Sequence, residues 1–115
     1  MKEIPVYLLI HSCVLRKYRT DRSLFSRVLV SQTKLDKVRI VPSGRHRCGI
    51  RQSRMRYGGK LYYDVKNSLP EEAVFIEEGL ESVILFNGHE YPVTGAEYIY
   101  ADELHHIELM LGGAV

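Results

Sequence analysis

Cysteine is scarce in this chain, Cys13 and Cys48 being its only two. Two thiols make no disulfide framework, and a reducing compartment would keep both free. No apolar run approaches the roughly 18 residues that a membrane-spanning helix needs, so no membrane partner is expected. The opening residues MKEIPVYLLIHSCVL include Glu3, Pro5 and His11 and offer no small-residue cleavage site, so they do not read as a signal peptide. The expectation is a protein made and kept in a cytoplasm. Catalytic patterns are missing too: there is no Ser-His-Asp order, no G-x-S-x-G elbow, no phosphate-binding loop and no evident carboxylate pair. Neither an enzyme nor a cofactor is expected.

What is present fits an ordinary globular protein. The 115 residues suit one domain spanning 1–115, and 45% hydrophobic with 26% charged residues allows a single core. The net charge of +2 hides a division. Residues 1–60 hold 15 of the 16 lysines and arginines against Glu3, Asp21 and Asp36, a formal +12. Residues 61–115 hold Lys66 against eleven acids, a formal −10. Such a division points to a polyanion or a charged partner, unless strands from the two halves interleave and cancel.

The apolar periodicity is mostly two. RVLVSQ and DKVRIV read as half-buried strands, and KLYYDV puts Leu61, Tyr63 and Val65 on one face. In SVILFNGHEYPV, Asn87-Gly88 sits between apolar runs and predicts a hairpin, while Pro92 marks an edge or a bulge. AEYIYAD and LHHIELML supply the last two strands, with Ile107, Leu109 and Leu111 on one face of the latter. Helix is scarce. In SLPEEAVFIEEGL, Ser68 and Glu71 suggest a cap and Gly79 a stop, with Leu69, Ala73, Ile76 and Leu80 as a stripe; Val74-Phe75-Ile76 also reads as a short strand. The fold class predicted is all-β, a small barrel of about six or seven strands with a long inserted loop at about 43–60.

That loop, SGRHRCGIRQSRMRYGGK, carries six lysines or arginines and no acid. Loops longer than about 12–15 residues are uncommon unless functional or disordered. Arg45, Arg47, Arg51, Arg54, Arg56 and Lys60 are the candidates for contact with nucleic acid phosphates, and the interspersed Gly44, Gly49, Gly58 and Gly59 would let the loop conform to a backbone without reading sequence. The alternative is a solvated basic loop that touches nothing specific.

Two His-x-Cys pairs, His11/Cys13 and His46/Cys48, could form a Cys2His2 set, but zinc sites more often use other spacings and no metal is expected. His105 and His106 are adjacent, and neighbouring strand residues point to opposite faces, so the two imidazoles are not expected to share a site. His106 beside Glu108 reads as a surface pair. Most of the eight tyrosines read as core or interface residues.

The runs P-V-Y-L-L-I-H-S, D-K-V-R-I-V, K-L-Y-Y-D-V-K-N-S, I-L-F-N-G-H-E-Y-P-V and L-H-H-I-E-L, in this order over nearly the whole chain, resemble a phage family. They are similar to the small minor capsid, or head-completion, proteins of the head-to-tail gene cluster of long-tailed bacteriophages and prophages. The resemblance implies a small β-barrel that forms a dodecameric homo-oligomeric ring in the virion neck. That ring would sit below the portal–adaptor complex, next to a tail-completion or tail-terminator protein. It implies a stopper role, retaining packaged DNA without sequence specificity, with a loop between strands closing the channel. The matching segment is Ser43 to Lys60, with Ile50, Met55 and Tyr57 as possible plug contacts. A stand-alone nucleic-acid-binding module and a tail-completion protein are the alternative functions. The basic and acidic halves would supply the two surfaces that head-to-tail ring contacts require, provided the fold keeps them apart.

Overall fold

The computed structural model describes residues 4–43 and 55–114. Six antiparallel strands close into a barrel: β1 His11–Asp21, β2 Ser26–Pro42, β3 Gly59–Asp64, β4 Glu81–Phe86, β5 His89–Tyr100 and β6 Leu104–Leu111. Their order around the barrel is β1-β2-β3-β6-β5-β4. The only helical turn among the described residues is a 3-10 turn at Val6–Leu8, and no helix there is long and apolar enough to cross a membrane.

Alternation builds the core. Leu15, Leu35, Val38, Leu61, Ile84 and Leu109 all face inward and are nearly inaccessible, as are Tyr63 and Tyr91. Asn87 and Gly88 have φ of 51° and 78°, the left-handed pair that a two-residue hairpin requires, and Phe86 pairs with His89 across it. Pro92 lies inside β5 at the place where that strand leaves β4 for β6, and the β5–β6 register shifts between Val93 and Gly95. A residue without an N–H fits that change of partner.

RVLVSQ and DKVRIV are one strand. β2 runs 17 residues, and its pairing with β1 slips between His11 and Cys13 and again between Lys17 and Tyr18. At the first slip Lys37 takes φ 54°, so β2 bends without ending. His11 serves the same bend, its Nδ1 accepting the Ile40 N–H at 2.9 Å.

The helix suggested over 68–80 does not form. Ser68 is buried; its hydroxyl accepts the Asp64 N–H at 2.9 Å and donates to the Lys37 carbonyl instead of capping a helix. Leu69 exchanges two backbone hydrogen bonds with Asp36, at 2.9 and 3.0 Å, and so continues the sheet for one rung. Phe75 then drops fully buried into the barrel mouth, edge-on to Tyr63 at 5.0 Å. Lys17, inward-facing and buried, donates to Glu77 at 2.8 Å and latches the segment down. Residues 65–80 are therefore a cap, held by the Ser68 hydrogen bonds, the Leu69–Asp36 rung, the Phe75 ring and the Lys17–Glu77 ion pair, and a helix would withdraw them.

β1 and β2 extend past the barrel as a two-stranded arm. Its tip is an Asp21 turn, the carboxylate accepting from the Ser23 N–H at 3.0 Å and the Leu24 N–H at 3.3 Å. Its base is tied to the wall through Glu90, which accepts from Arg27 at 2.7 Å, Tyr18 at 3.3 Å and Arg16 at 3.4 Å. Arg27 also lies over the Tyr18 ring, 4.1 Å from its centroid. The Arg27 hydrogen bond is the chief reason that the Glu90 carboxyl is held below the usual carboxylate range, with Arg27 and Arg16 charges adding to it.

Two outcomes are expected. Phe75→Ala should cost about 3–5 kcal/mol in chemical denaturation, and Leu69→Ala only about 0.5 kcal/mol, because Leu69 is exposed; a helix with the Leu69 stripe buried would give the reverse, a large loss at Leu69 and a small one at Phe75, which lies off that stripe. Glu90→Gln should lower stability by about 1 kcal/mol or less at neutral pH, as solvent screens the pairs. Because the native carboxyl titrates below its ordinary 4.5, its contribution is complete above that value and lost as pH falls through the native pKa. The difference between wild type and Glu90→Gln should therefore close in strong acid, measured by urea titration at a series of pH values.

Candidate nucleic-acid interface

The strands alternate in direction, so the connections fall into two sets at opposite ends of the barrel. Connections 22–25, 65–80 and 101–103 share one end; 43–58, the Asn87-Gly88 turn and the chain after Leu111 share the other. The first end has Glu71, Glu72, Glu77, Glu78, Asp102 and Glu103 in its two acidic connections, against Lys66. The second has Arg56 and no acid among its described residues, and the connection that leaves and returns there carries four further arginines in sequence. The acidic connections thus lie at the end opposite the one where the arginine-rich connection leaves and rejoins the barrel.

The basic segment leaves the barrel on a fixed stem. Ser43 donates from its N–H to the Gly58 carbonyl at 3.0 Å and from its hydroxyl to the Tyr57 carbonyl at 2.9 Å, tying the two ends of the segment together. Met55 is buried in the core; its N–H donates to the buried Tyr91 hydroxyl at 3.0 Å, and its carbonyl accepts from Gly58 at 3.2 Å and Ala114 at 3.3 Å. The barrel floor is closed by this residue and the chain end that folds over it.

Gly58 and Gly59 have a different task from the one the composition suggests. Gly58 sits at φ 74°, and a Cβ there would come 1.9 Å from the Leu111 carbonyl oxygen; at Gly59 it would come 2.3 Å from that of Val41. These glycines admit close backbone approach at the stem rather than pliability. Gly44 and Gly49 lie outside the described residues.

The candidate contact residues separate accordingly. Arg45, Arg47, Ile50, Arg51 and Arg54 lie outside the described residues, as do His46 and Cys48. Arg56 and Tyr57 are exposed beside the stem, Tyr57 at 61%. Met55 is a core residue, not an available plug side chain. Lys60 belongs to β3, not to the loop, and pairs with Glu108 at 3.2 Å, which raises its pKa. Burial raises the Glu108 carboxyl, but hydrogen bonds from His106 and Lys60 outweigh it and hold the group low.

His105 and His106 do meet, against expectation. Their Nδ1 atoms are 2.7 Å apart with the rings nearly perpendicular, and His106 Nε2 contacts Glu108 at 3.0 Å. The last β3–β6 pair is Asp64 with His106, and the β5–β6 register shifts between Ile99 and Tyr100. At this twisted strand start, the rings turn toward one another instead of to opposite faces. Cys13 is buried beside Asp36, and desolvation first, then that carboxylate, pushes its thiol up to about 12. Among the described residues no cluster of three or more His, Cys, Asp or Glu is placed to hold a metal.

Sequence reasoning missed the arm. RVLVSQ reads as half-buried, yet Leu29 and Val30 are about half exposed and Phe25 at the tip is 96% exposed. The short polar run Asp21-Arg22-Ser23 was the available signal, an Asx turn between two β-rich runs.

A family model described as minor capsid protein matches residues 5–111 of the chain. Comparison with curated proteins and with solved structures gives no match.

The stem geometry sets an expectation. Gly58→Ala combines a left-handed φ with an impossible Cβ contact, so it should destabilise by well over about 1 kcal/mol, read as a fall in thermal midpoint. Gly88→Ala, whose Cβ would meet nothing within 4 Å, should cost less.

Proposed function

The chain belongs to the phage minor capsid protein family, and from that premise we propose that it is a head-completion protein of the virion neck, the stopper that retains packaged DNA and joins head to tail. Membership of that family makes it a structural component of the phage virion. In the proposed role it would form a dodecameric ring below the portal–adaptor complex and above a tail-completion or tail-terminator protein.

One observation carries this reading. A segment with five arginines and no acid is delivered from one end of a closed barrel, on a stem fixed by Ser43, Met55 and Gly58, while the acidic connections lie at the opposite end. In a ring whose subunits present that end to the axis, the segments would form a cationic collar around the phosphates of the DNA column. Such contacts are with backbone phosphates and carry no base specificity. A stand-alone nucleic-acid-binding module would be expected to be basic overall, and this chain is acidic over its second half.

Replacing Arg45, Arg47, Arg51, Arg54 and Arg56 with Gln tests the proposal. The barrel should remain folded, each change costing within about 0.5 kcal/mol as expected of loop side chains outside the core, and necks should assemble. Retention should fail: particles should lose their genomes before tails join. Replacement with Glu should be worse, because like charges would face the phosphates. Full, infectious particles from the Gln variant at the normal rate would overturn the DNA-facing role, and electron microscopy placing the chain outside the neck would overturn the assignment to the ring.

A further inference from the structure

We propose that copies of this chain join by strand addition, the bare edge of β2 at residues 26–34 pairing with the bare edge of β5 at residues 94–100 in the next copy. The setting, a ring, rests on the reading above; the contact itself rests on the edges.

Among the described residues, both edges are left open by the way the barrel closes. β2 meets β3 only from Val38 to Pro42, with one further rung between Asp36 and Leu69. From Ser26 to Lys34 it pairs with β1 on one side and with no described strand on the other. β5 meets β4 only from His89 to Pro92; beyond that it pairs with β6 alone. A row of unpaired N–H and C=O groups is a template for another strand, and folded proteins usually blunt it with charge or proline. The run VLVSQT at 28–33 contains neither. An isolated two-stranded ribbon is marginal in water, yet this one carries half-exposed Leu29 and Val30 besides.

The two edges suit each other. A closed ring needs heterologous contacts between two different surfaces of each subunit, and here the same chain supplies two different edges. The β1–β2 turn and the β5–β6 turn lie at the same end of the barrel, so β2 and β5 run in opposite directions, and a rotation about an axis parallel to the barrel sets the two edges side by side as an antiparallel pair. Their charges are opposite: exposed Arg19 and Arg22 stand on the arm, and exposed Glu97, Asp102 and Glu103 on or beside the β5 edge. Exposed Tyr98 and Tyr100 supply aromatic partners for the β-branched and aliphatic side chains of β2, a favourable cross-strand combination.

Cysteine cross-linking in assembled particles tests this. Leu29→Cys chains are co-produced with chains carrying Cys at Thr94, Ala96, Tyr98 or Tyr100, which scan one face of the β5 edge, and the particles are mildly oxidised. At least one mixed pair should yield a species of twice the chain mass, while Leu29→Cys alone gives no more than the wild-type background from Cys13 and Cys48. Cross-linking of Leu29→Cys to itself would overturn the proposal in favour of a two-fold contact, and absence of every mixed product would overturn it outright. Hydrogen exchange gives an independent reading: amides in 26–34 and 94–100 should gain protection on assembly, and protection without a mixed cross-link would mean that a different virion protein covers the edge. If the mixed product forms in particles whose necks lack the chain, the strand contact stands and the stopper assignment falls.

Discussion

A barrel can close only as far as its shortest strands run. β3 and β4 have six residues each, while β2 has 17 and β5 has 12. β3 is paired on both sides along its length, but β2 meets β1 and β3 together only at Val38, and β5 passes from β4 to β6 between Pro92 and Val93, so long stretches of both strands have one side bare. The arm, its Glu90 tether and the need for a capping segment over the mouth all follow from that mismatch. So does the position of Pro92, at the point where β5 passes beyond its short neighbour.

The strand content was readable because inward positions repeat every second residue and because Asn87-Gly88 fits one turn geometry. The continuity of β2 was not readable: a bulge at Lys37 looks in sequence like a turn between two strands, since both place a left-handed residue between β-branched runs. The 68–80 segment misled for a related reason. Ser68, Glu71 and Gly79 have the spacing of helix punctuation, and only the tertiary partners, the Asp36 rung and the Tyr63 ring, decide that the chain stays extended. Of the candidate site, the concentration of positive charge was legible. The separate duties of Met55, Gly58 and Lys60 were not, because composition cannot distinguish a stem from the loop that it carries.

The charge division has a physical reading that a net value conceals. Like charges gathered at one end of a small barrel repel one another and cost stability, unless something of opposite sign is present in the working assembly. Here the acidic connections gather at one end, and the Glu90 cluster accepts from Arg27, Tyr18 and Arg16 where the basic arm meets the wall.

The stem of the basic segment also fixes how the molecule would bear force. Ser43 and Gly58 are joined to each other, and they continue directly into neighbouring strands β2 and β3. A pull on the segment between Ser43 and Met55 is therefore shared by both strands and directed along them. The ladders to β1 on one side and β6 on the other are then loaded in shear, with many hydrogen bonds resisting together instead of parting one at a time. Met55, anchored inside the barrel by Tyr91, adds a second line of resistance that runs through the core. The tether is mechanically stiff, whatever presses on the chain that it holds.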